Sequence, residues 1–430
     1  MHFFLKRPRG KNIIFIMKKI AAFAVFVSTT ALLSLLSGAP LFEGTCDKDA
    51  LSYKVGEKIK FRVALADDGK PVVGRKIKYV MRGEDGKRFE GVQDSDKPVV
   101  VETSLDKPGF VHLQINVLDE NGRPDRNFCR PYDGGAGADI EKLAQSVPEP
   151  ADFDAYWKQR VAEYSKAPIK ADLKRVETTS DGKPVNPNFE VYEFSIPTIG
   201  DPARGYITYP KNAADKSLKI RANFQGYGWA SPGPAMYGDA IGVSMCSHSV
   251  DIGKPKSYYD ELKTGKLKGF AWEKTLDSPK DSYFDGMIMR DLAALRYAKS
   301  LPTWNGKDLE VNGGSMGAFQ SFAMGALDGN VTKLNVAVPW MADLAGKYHG
   351  RFSGWLPEPL PNRLYFDTIN FAKRVKCPVA IRAGLGDYVC PPSGEAALYN
   401  SITAPVSIEF VQDATHGFPK HKTAVYKRQK

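Results

Sequence analysis

Three residues, Ser315, Asp387 and His416, stand in an order and in local settings that could turn a serine hydroxyl against a carbonyl. Ser315 lies within Gly313-Gly314-Ser315-Met316-Gly317, a G-x-S-x-G pattern between a strand-like run and an apolar helix carrying Phe319, Phe322 and Leu327. Such a turn forces the serine into a strained conformation and lifts its hydroxyl clear of a sheet. A serine hydroxyl is a poor nucleophile at neutral pH until a base takes its proton during attack. His416, in Ala414-Thr415-His416-Gly417, would be that base. Asp387, in Gly384-Leu385-Gly386-Asp387, would fix the imidazole's tautomer and stabilise the imidazolium.

The order Ser…Asp…His, with separations of 72 and 29 residues, is the α/β-hydrolase order. The N–H of Met316, at the start of the helix, is placed to stabilise an oxyanion. A second donor would come from the loop Gln225-Gly226-Tyr227-Gly228-Trp229, where the N–H of Tyr227 is the candidate and a plain glycine-rich turn is the alternative. Asp343 and Asp367 are rival acids, but neither directly follows the strand preceding the histidine's. His349 and His421 are rival bases, the latter in a basic tail expected at the surface. His248 reads as a loop or pocket-wall residue, and Cys390 as packing rather than a nucleophile.

The elements needed to position these residues are legible from residue 151 to 430. Strand-like runs cover 189–194, 203–209, 220–224, 308–312, 334–340, 378–383 and 405–411, the last being the final strand expected. Helical segments cover 283–300, 318–327 and 393–401, so strands and helices alternate as in a parallel α/β sheet. An amphipathic helix opens at Asp152 with Phe153, Trp157 and Val161 recurring every four residues, a core-packing stripe. Residues 45–132 differ: short runs alternating with period two are separated by turns at Asp67-Asp68-Gly69, Glu84-Asp85-Gly86 and Glu120-Asn121-Gly122. That pattern predicts a small immunoglobulin-like β-sandwich, which Cys46 and Cys129 could staple. Residues 133–150, with Asp133-Gly134-Gly135-Ala136-Gly137-Ala138, read as a linker. Residues 1–40 read as a signal peptide, from Met17-Lys18-Lys19, the apolar run Ile20 to Leu36 and Ser37-Gly38-Ala39, so the chain is expected in the periplasm or outside the cell.

Composition narrows the function classes. Net charge is +11 over 430 residues, but the basic residues are scattered among acidic ones, and no nucleic-acid motif accompanies them. Five cysteines without a C-x-x-C pair and six dispersed histidines give no convincing metal cage, so neither metal nor cofactor is expected.

Gly-Gly-Ser-Met-Gly, the run Gly384 to Pro392 with Asp387-Tyr388-Val389-Cys390-Pro391-Pro392, the His416-Gly417 turn, the Gln225-Gly226-Tyr227 loop and the helix Asp152 to Trp157 together resemble the acetyl xylan esterase / cephalosporin-C deacetylase family. The likeness runs from about Pro150 to the C-terminus. It implies an α/β-hydrolase that removes acetyl groups from sugars and small alcohols without a metal, with Ser315 as nucleophile, Asp387 as acid, His416 as base, and the Tyr227 and Met316 amides as oxyanion hole. Gln225 stands where that family usually has His, and its Arg-Gly-Gln motif is missing around 240–250. On this reading an acetylated oligosaccharide is the substrate, and Trp229 and Trp340, with Tyr227, would stack against sugar faces. A serine peptidase of prolyl-oligopeptidase type, or a glycan-binding protein with an inert hydrolase domain, are the alternatives; the oligomeric state is open.

Overall fold

Period-two alternation of apolar and polar residues produces half-buried strands, and the N-terminal part of the chain is built from them. In the structure, a computed structural model describing residues 39–179, 182–228, 230–272 and 277–430, eight strands occupy this part. They are β1 (Leu41–Cys46), β2 (Ile59–Asp67), β3 (Lys70–Pro71), β4 (Lys76–Gly83), β5 (Arg88–Asp94), β6 (Val99–Thr103), β7 (Gly109–Leu118) and β8 (Tyr132–Ala138). One four-stranded sheet runs β1-β2-β3 with β6 on β2, and the other runs β5-β4-β7-β8, all antiparallel. The export segment expected at residues 1–40 falls outside the described residues apart from Ala39 and Pro40. Among the described residues no helix is long and apolar enough to cross a membrane.

The second part is a ten-stranded mixed sheet. Its strands are β9 (Asp172–Arg175), β10 (Phe189–Ile196), β11 (Ala203–Pro210), β12 (Leu218–Phe224), β13 (Ala240–Cys246), β14 (Trp304–Gly314), β15 (Lys333–Ala337), β16 (Val379–Gly384), β17 (Val406–Val411) and β18 (Val425–Gln429). The order is β18-β17-β16-β15-β14-β12-β13-β11-β10-β9. Strands β13, β12, β14, β15, β16 and β17 are mutually parallel, with antiparallel strands at both flanks. The helices are α1 (Phe153–Tyr164), α2 (Lys256–Thr264), α3 (Tyr283–Lys299), α4 (Met316–Leu327), α5 (Thr368–Ala372) and α6 (Pro392–Ser401). The Phe153 and Trp157 stripe of α1 is buried, as its four-residue spacing requires.

Three sequence expectations are corrected. Residues 133–138 are not a flexible joint but lie in β8, whose seven residues are all buried. Their small size is a packing requirement: a Cβ on Gly135 would stand 2.6 Å from Leu385 O, and one on Gly386 would stand 2.3 Å from Asp133 O. Only glycine lets backbone meet backbone that closely. Cys46 and Cys129 are both free and buried, so they do not staple the unit. The strand 405–411 is not the last, because residues 425–429 of the basic tail add β18 antiparallel to β17. There Lys427 pairs with Glu409 across the strands and the charged side chains face outward.

Both parts share one hydrophobic core that runs from Phe42 and Phe61 to Phe319 and Phe410. Phe110 of β7 and Phe410 of β17 place their ring centroids 5.8 Å apart across the junction.

Candidate active site

In a parallel α/β sheet the loops beyond the carboxyl ends of the strands gather on one edge, where ligands bind. Ser315 follows β14, Asp387 follows β16 and His416 follows β17, so all three stand beyond that edge. Ser315 has φ 57° and ψ −121°, a strained conformation for a residue with a Cβ. Packing enforces it. A Cβ on Gly317 would lie 2.2 Å from Phe224 O, so α4 can begin this close to β12 only with glycine there. The Ser315 N–H donates to Ala337 O at 2.9 Å, tying the turn to the end of β15. Met316 is the first residue of α4, so its N–H has no intrahelical acceptor and points toward the edge.

His416 Nδ1 lies 3.0 Å from Asp387 Oδ2. The Asp387 side chain is fully buried, while that of His416 is 30% exposed, which leaves the far imidazole nitrogen accessible. The other oxygen, Asp387 Oδ1, accepts the N–H groups of Val389 at 2.7 Å and Cys390 at 3.0 Å. The carboxylate is thus held on both oxygens, and because it faces Nδ1 as an acceptor, Nδ1 carries a proton. No hydrogen bond joins the Ser315 hydroxyl to His416 among the described residues. Free enzymes often hold such a pair apart until substrate closes the gap.

Cys390 Sγ stands with Asp387 and His416 in a group whose donor atoms all lie within 4.8 Å of one another. Metal ligation needs a thiolate. Burial pushes the Cys390 thiol well above its usual range, and the Asp387 and Glu395 carboxylates push it the same way, so the sulfur stays protonated.

The loop 225–228 abuts the serine turn, since a Cβ on Gly226 would meet Gly314 O at 3.3 Å and Ser315 Cβ at 4.0 Å. It is clamped at two points. Gln225 O accepts from Gln320 Nε2 at 2.9 Å and Ser247 Oγ at 3.2 Å, and Arg290 holds Ser247 O at 2.7 Å. At the other end His248 Nε2 donates to Gly228 O at 2.8 Å, while its Nδ1 accepts from Tyr283 OH at 2.8 Å. Burial lowers the pKa of His248 to about 4, so the ring is neutral in this role. The expectation of a pocket-wall histidine missed this clamp, and its one trace in the sequence was Cys246-Ser247-His248 directly after an apolar run.

The aromatic expectations divide. Trp340 is 1% exposed and its Nε1 donates to Trp355 O at 2.8 Å, so it cannot present a face to a sugar. Burial corrects that assignment. Trp229 lies outside the described residues. Tyr227 stacks on Phe270 at 4.9 Å between centroids and meets Trp355 edge-on at 4.8 Å. Trp355 also stands 4.8 Å from Trp272 and is 45% exposed. Trp272 and Trp355, which no spacing marked out, therefore form the accessible aromatic wall over the loop. The rivals are elsewhere: Asp343 bonds Ser146 and pairs with Arg351, Asp367 accepts backbone N–H groups in a fully buried site, and His421 bonds Asp413.

With this geometry in view, the comparisons with known proteins converge. The model of the family described as acetyl xylan esterase (AXE1) matches residues 138–347 and 360–429, more than half of the chain. Acetyl esterase Axe7A of Xylanibacter ruminicola is 28% identical over 391 residues, covering 82% of this chain and 81% of that protein. Among solved structures, the acetyl xylan esterase from Paenibacillus sp. R4 has a TM-score of 0.52 at 18% identity, covering 65% of this chain and 94% of its own. Acetyl xylan esterase 1 from Thermoanaerobacterium sp. JW/SL YS485 gives 0.49 at 20% identity, with 65% and 93% covered. The Paenibacillus likeness and the mixed sheet establish the α/β-hydrolase fold.

Proposed function

The chain belongs to the acetyl xylan esterase family, a family of carboxylic ester hydrolases, and from that premise we propose that it deacetylates acetylated xylan or related plant-polysaccharide fragments through Ser315, His416 and Asp387. The observation that carries this reading is the 3.0 Å bond from His416 Nδ1 to Asp387, beyond the same sheet edge as the strained Ser315.

The chemistry proceeds in two halves. Ser315 Oγ attacks the acetyl carbonyl carbon while His416 Nε2 takes the hydroxyl proton. The carbonyl oxygen becomes an oxyanion, stabilised by the N–H groups of Met316 and Tyr227. Collapse breaks the C–O bond to the sugar, whose oxygen leaves with the proton from His416, and acetyl-Ser315 remains. Water, giving its proton to His416 Nε2, then attacks the acyl carbon; the C–O bond to Ser315 breaks, Ser315 Oγ takes that proton back from His416, and acetate leaves. Asp387 keeps the proton on Nδ1 throughout, so that Nε2 is the nitrogen that accepts.

The sandwich-like pair of N-terminal sheets supports an immunoglobulin-like reading of that unit, and the Met17-Lys18-Lys19 start followed by Ile20 to Leu36 supports export. Acetate release from acetylated xylo-oligosaccharides by the wild type, lost in Ser315→Ala, tests the assignment. Turnover of p-nitrophenyl acetate without release of acetate from any glycan would overturn the choice of substrate.

A further inference from the structure

A cavity of about 290 Å³ lies at the junction between the N-terminal sheets and the loop that carries Asp387. Arg82 of β4 and His112 and Gln114 of β7 line one side, and Phe352, Asp387 and Tyr388 line the other. Arg82 and His112 are direct cross-strand partners, and Gln114, two residues along, shares their face.

Arg82 is half-buried, and among the described residues it makes no ion pair. The carboxylates near enough to influence it are Asp133 and Glu90. Asp133 bonds His112 and Gln114 at 3.1 and 2.9 Å, and Glu90 pairs with Lys78 and Arg88. The third carboxylate, Asp387, is turned inward to His416 and the two backbone N–H groups already described. A guanidinium in this setting gains from an incoming carboxylate, which it can meet with two parallel hydrogen bonds. Tyr388, 64% exposed at the rim, offers a ring face to a pyranose.

The cavity is also within reach of the ester. Phe352 meets His112 edge-on at 6.5 Å, and three residues later Trp355 touches Tyr227 of the loop beside Ser315. Asp387 itself lines the cavity and bonds His416 at 3.0 Å, so the cavity adjoins the histidine that would serve Ser315.

We propose that this cavity is a subsite for a sugar carboxylate, and that it takes a hexuronate carried by the same acetylated oligosaccharide whose ester is presented to Ser315. The inference deepens the deacetylase reading above and rests on it for the identity of the chain. The N-terminal unit is then part of the substrate site, because Arg82 and Gln114 supply the groups that recognise the acid.

Calorimetric titration of the full chain reads the subsite without turnover. The probes are a deacetylated xylo-oligosaccharide bearing one glucuronate and the same compound with its carboxyl reduced to the alcohol. The acidic probe should bind about tenfold more tightly, and Arg82→Ala should erase the difference. Equal affinity for the two probes, no binding of either, or unchanged discrimination in Arg82→Ala overturns the subsite. Arg82→Ala should keep the wild-type circular dichroism spectrum and unfolding midpoint, which shows the fold intact; if it does not, Arg82→Gln replaces it. Discrimination between the probes without acetate release from any acetylated glycan would uphold the subsite and overturn the deacetylase reading. Release from glycans with the same KM for acidic and neutral substrates would do the reverse.

Discussion

Glu84, in the turn after β4, and Ser393, in the first turn of α6, are joined by a 2.6 Å hydrogen bond although 309 residues separate them. The same buried carboxylate accepts the N–H groups of Phe352 at 2.8 Å and Phe110 at 3.0 Å. One side chain of the N-terminal unit therefore ties together β7, the segment leading to Trp355, and the helix that follows Asp387. Glu84→Ala would strand three buried donors, each worth on the order of 1 kcal/mol or more when unpaired. Denaturant unfolding should show a loss of about 3 kcal/mol, and kcat should fall as the loop of Asp387 loosens.

Asp387→Asn tests the tautomer. An amide placed there can still accept the Val389 and Cys390 N–H groups through its oxygen, but its NH2 then faces the imidazole. The ring must answer with an acceptor at Nδ1, which puts the proton on Nε2 and removes the base. The kcat for p-nitrophenyl acetate should drop by about 10³ to 10⁴ with an unchanged circular dichroism spectrum. A loss below tenfold would remove Asp387 from the mechanism.

Trp355 tests the aromatic wall. Its ring is accessible, while its backbone holds Trp340 and Val389 whatever side chain it bears. Trp355→Ala should raise KM for an acetylated oligosaccharide about three- to tenfold and change kcat for p-nitrophenyl acetate less than twofold. The opposite pattern would assign the ring to the acyl pocket.

His248 predicts an acid limit on stability. Its pKa is about 4 in the folded chain and near 6.5 when unfolded, because burial disfavours the charged ring. Below 6.5 the unfolded chain binds a proton that the folded chain refuses. This contribution to stability is complete above pH 6.5 and is lost as pH falls toward 4, by about 3 kcal/mol in all. In His248→Asn that component of the pH slope should vanish between pH 6.5 and 4. The variant should also lose activity at neutral pH, as the loop bearing Tyr227 is released from Gly228.

The turn at Ser315 and the loops that bring Asp387 against His416 were legible because local chemistry writes them: glycines at a crowded strand-helix corner, and polar residues directly after apolar strands. The long-range part was hidden. Nothing within Asp133 to Ala138 marks a strand: its small residues show no alternation, and although it pairs with β7, the side chains that take its other edge, Gln412 and Asp413, lie about 280 residues away. Trp340 and Trp355 are equally plausible platforms on paper, and only tertiary packing decides which of them is covered. In β18, alternating Lys427 and Arg428 look like a solvated tail until Glu409 and Asp49 are found beside them.

The bare backbone contact between Gly135 and Leu385, with its counterpart at Gly386 and Asp133, leaves no slack at the seam between the two parts. Neither can melt without exposing the other's interior, so calorimetry should record one heat-absorption peak where two modules on a tether would give two. Any side chain larger than hydrogen at these glycines would wedge the seam open and split the peak.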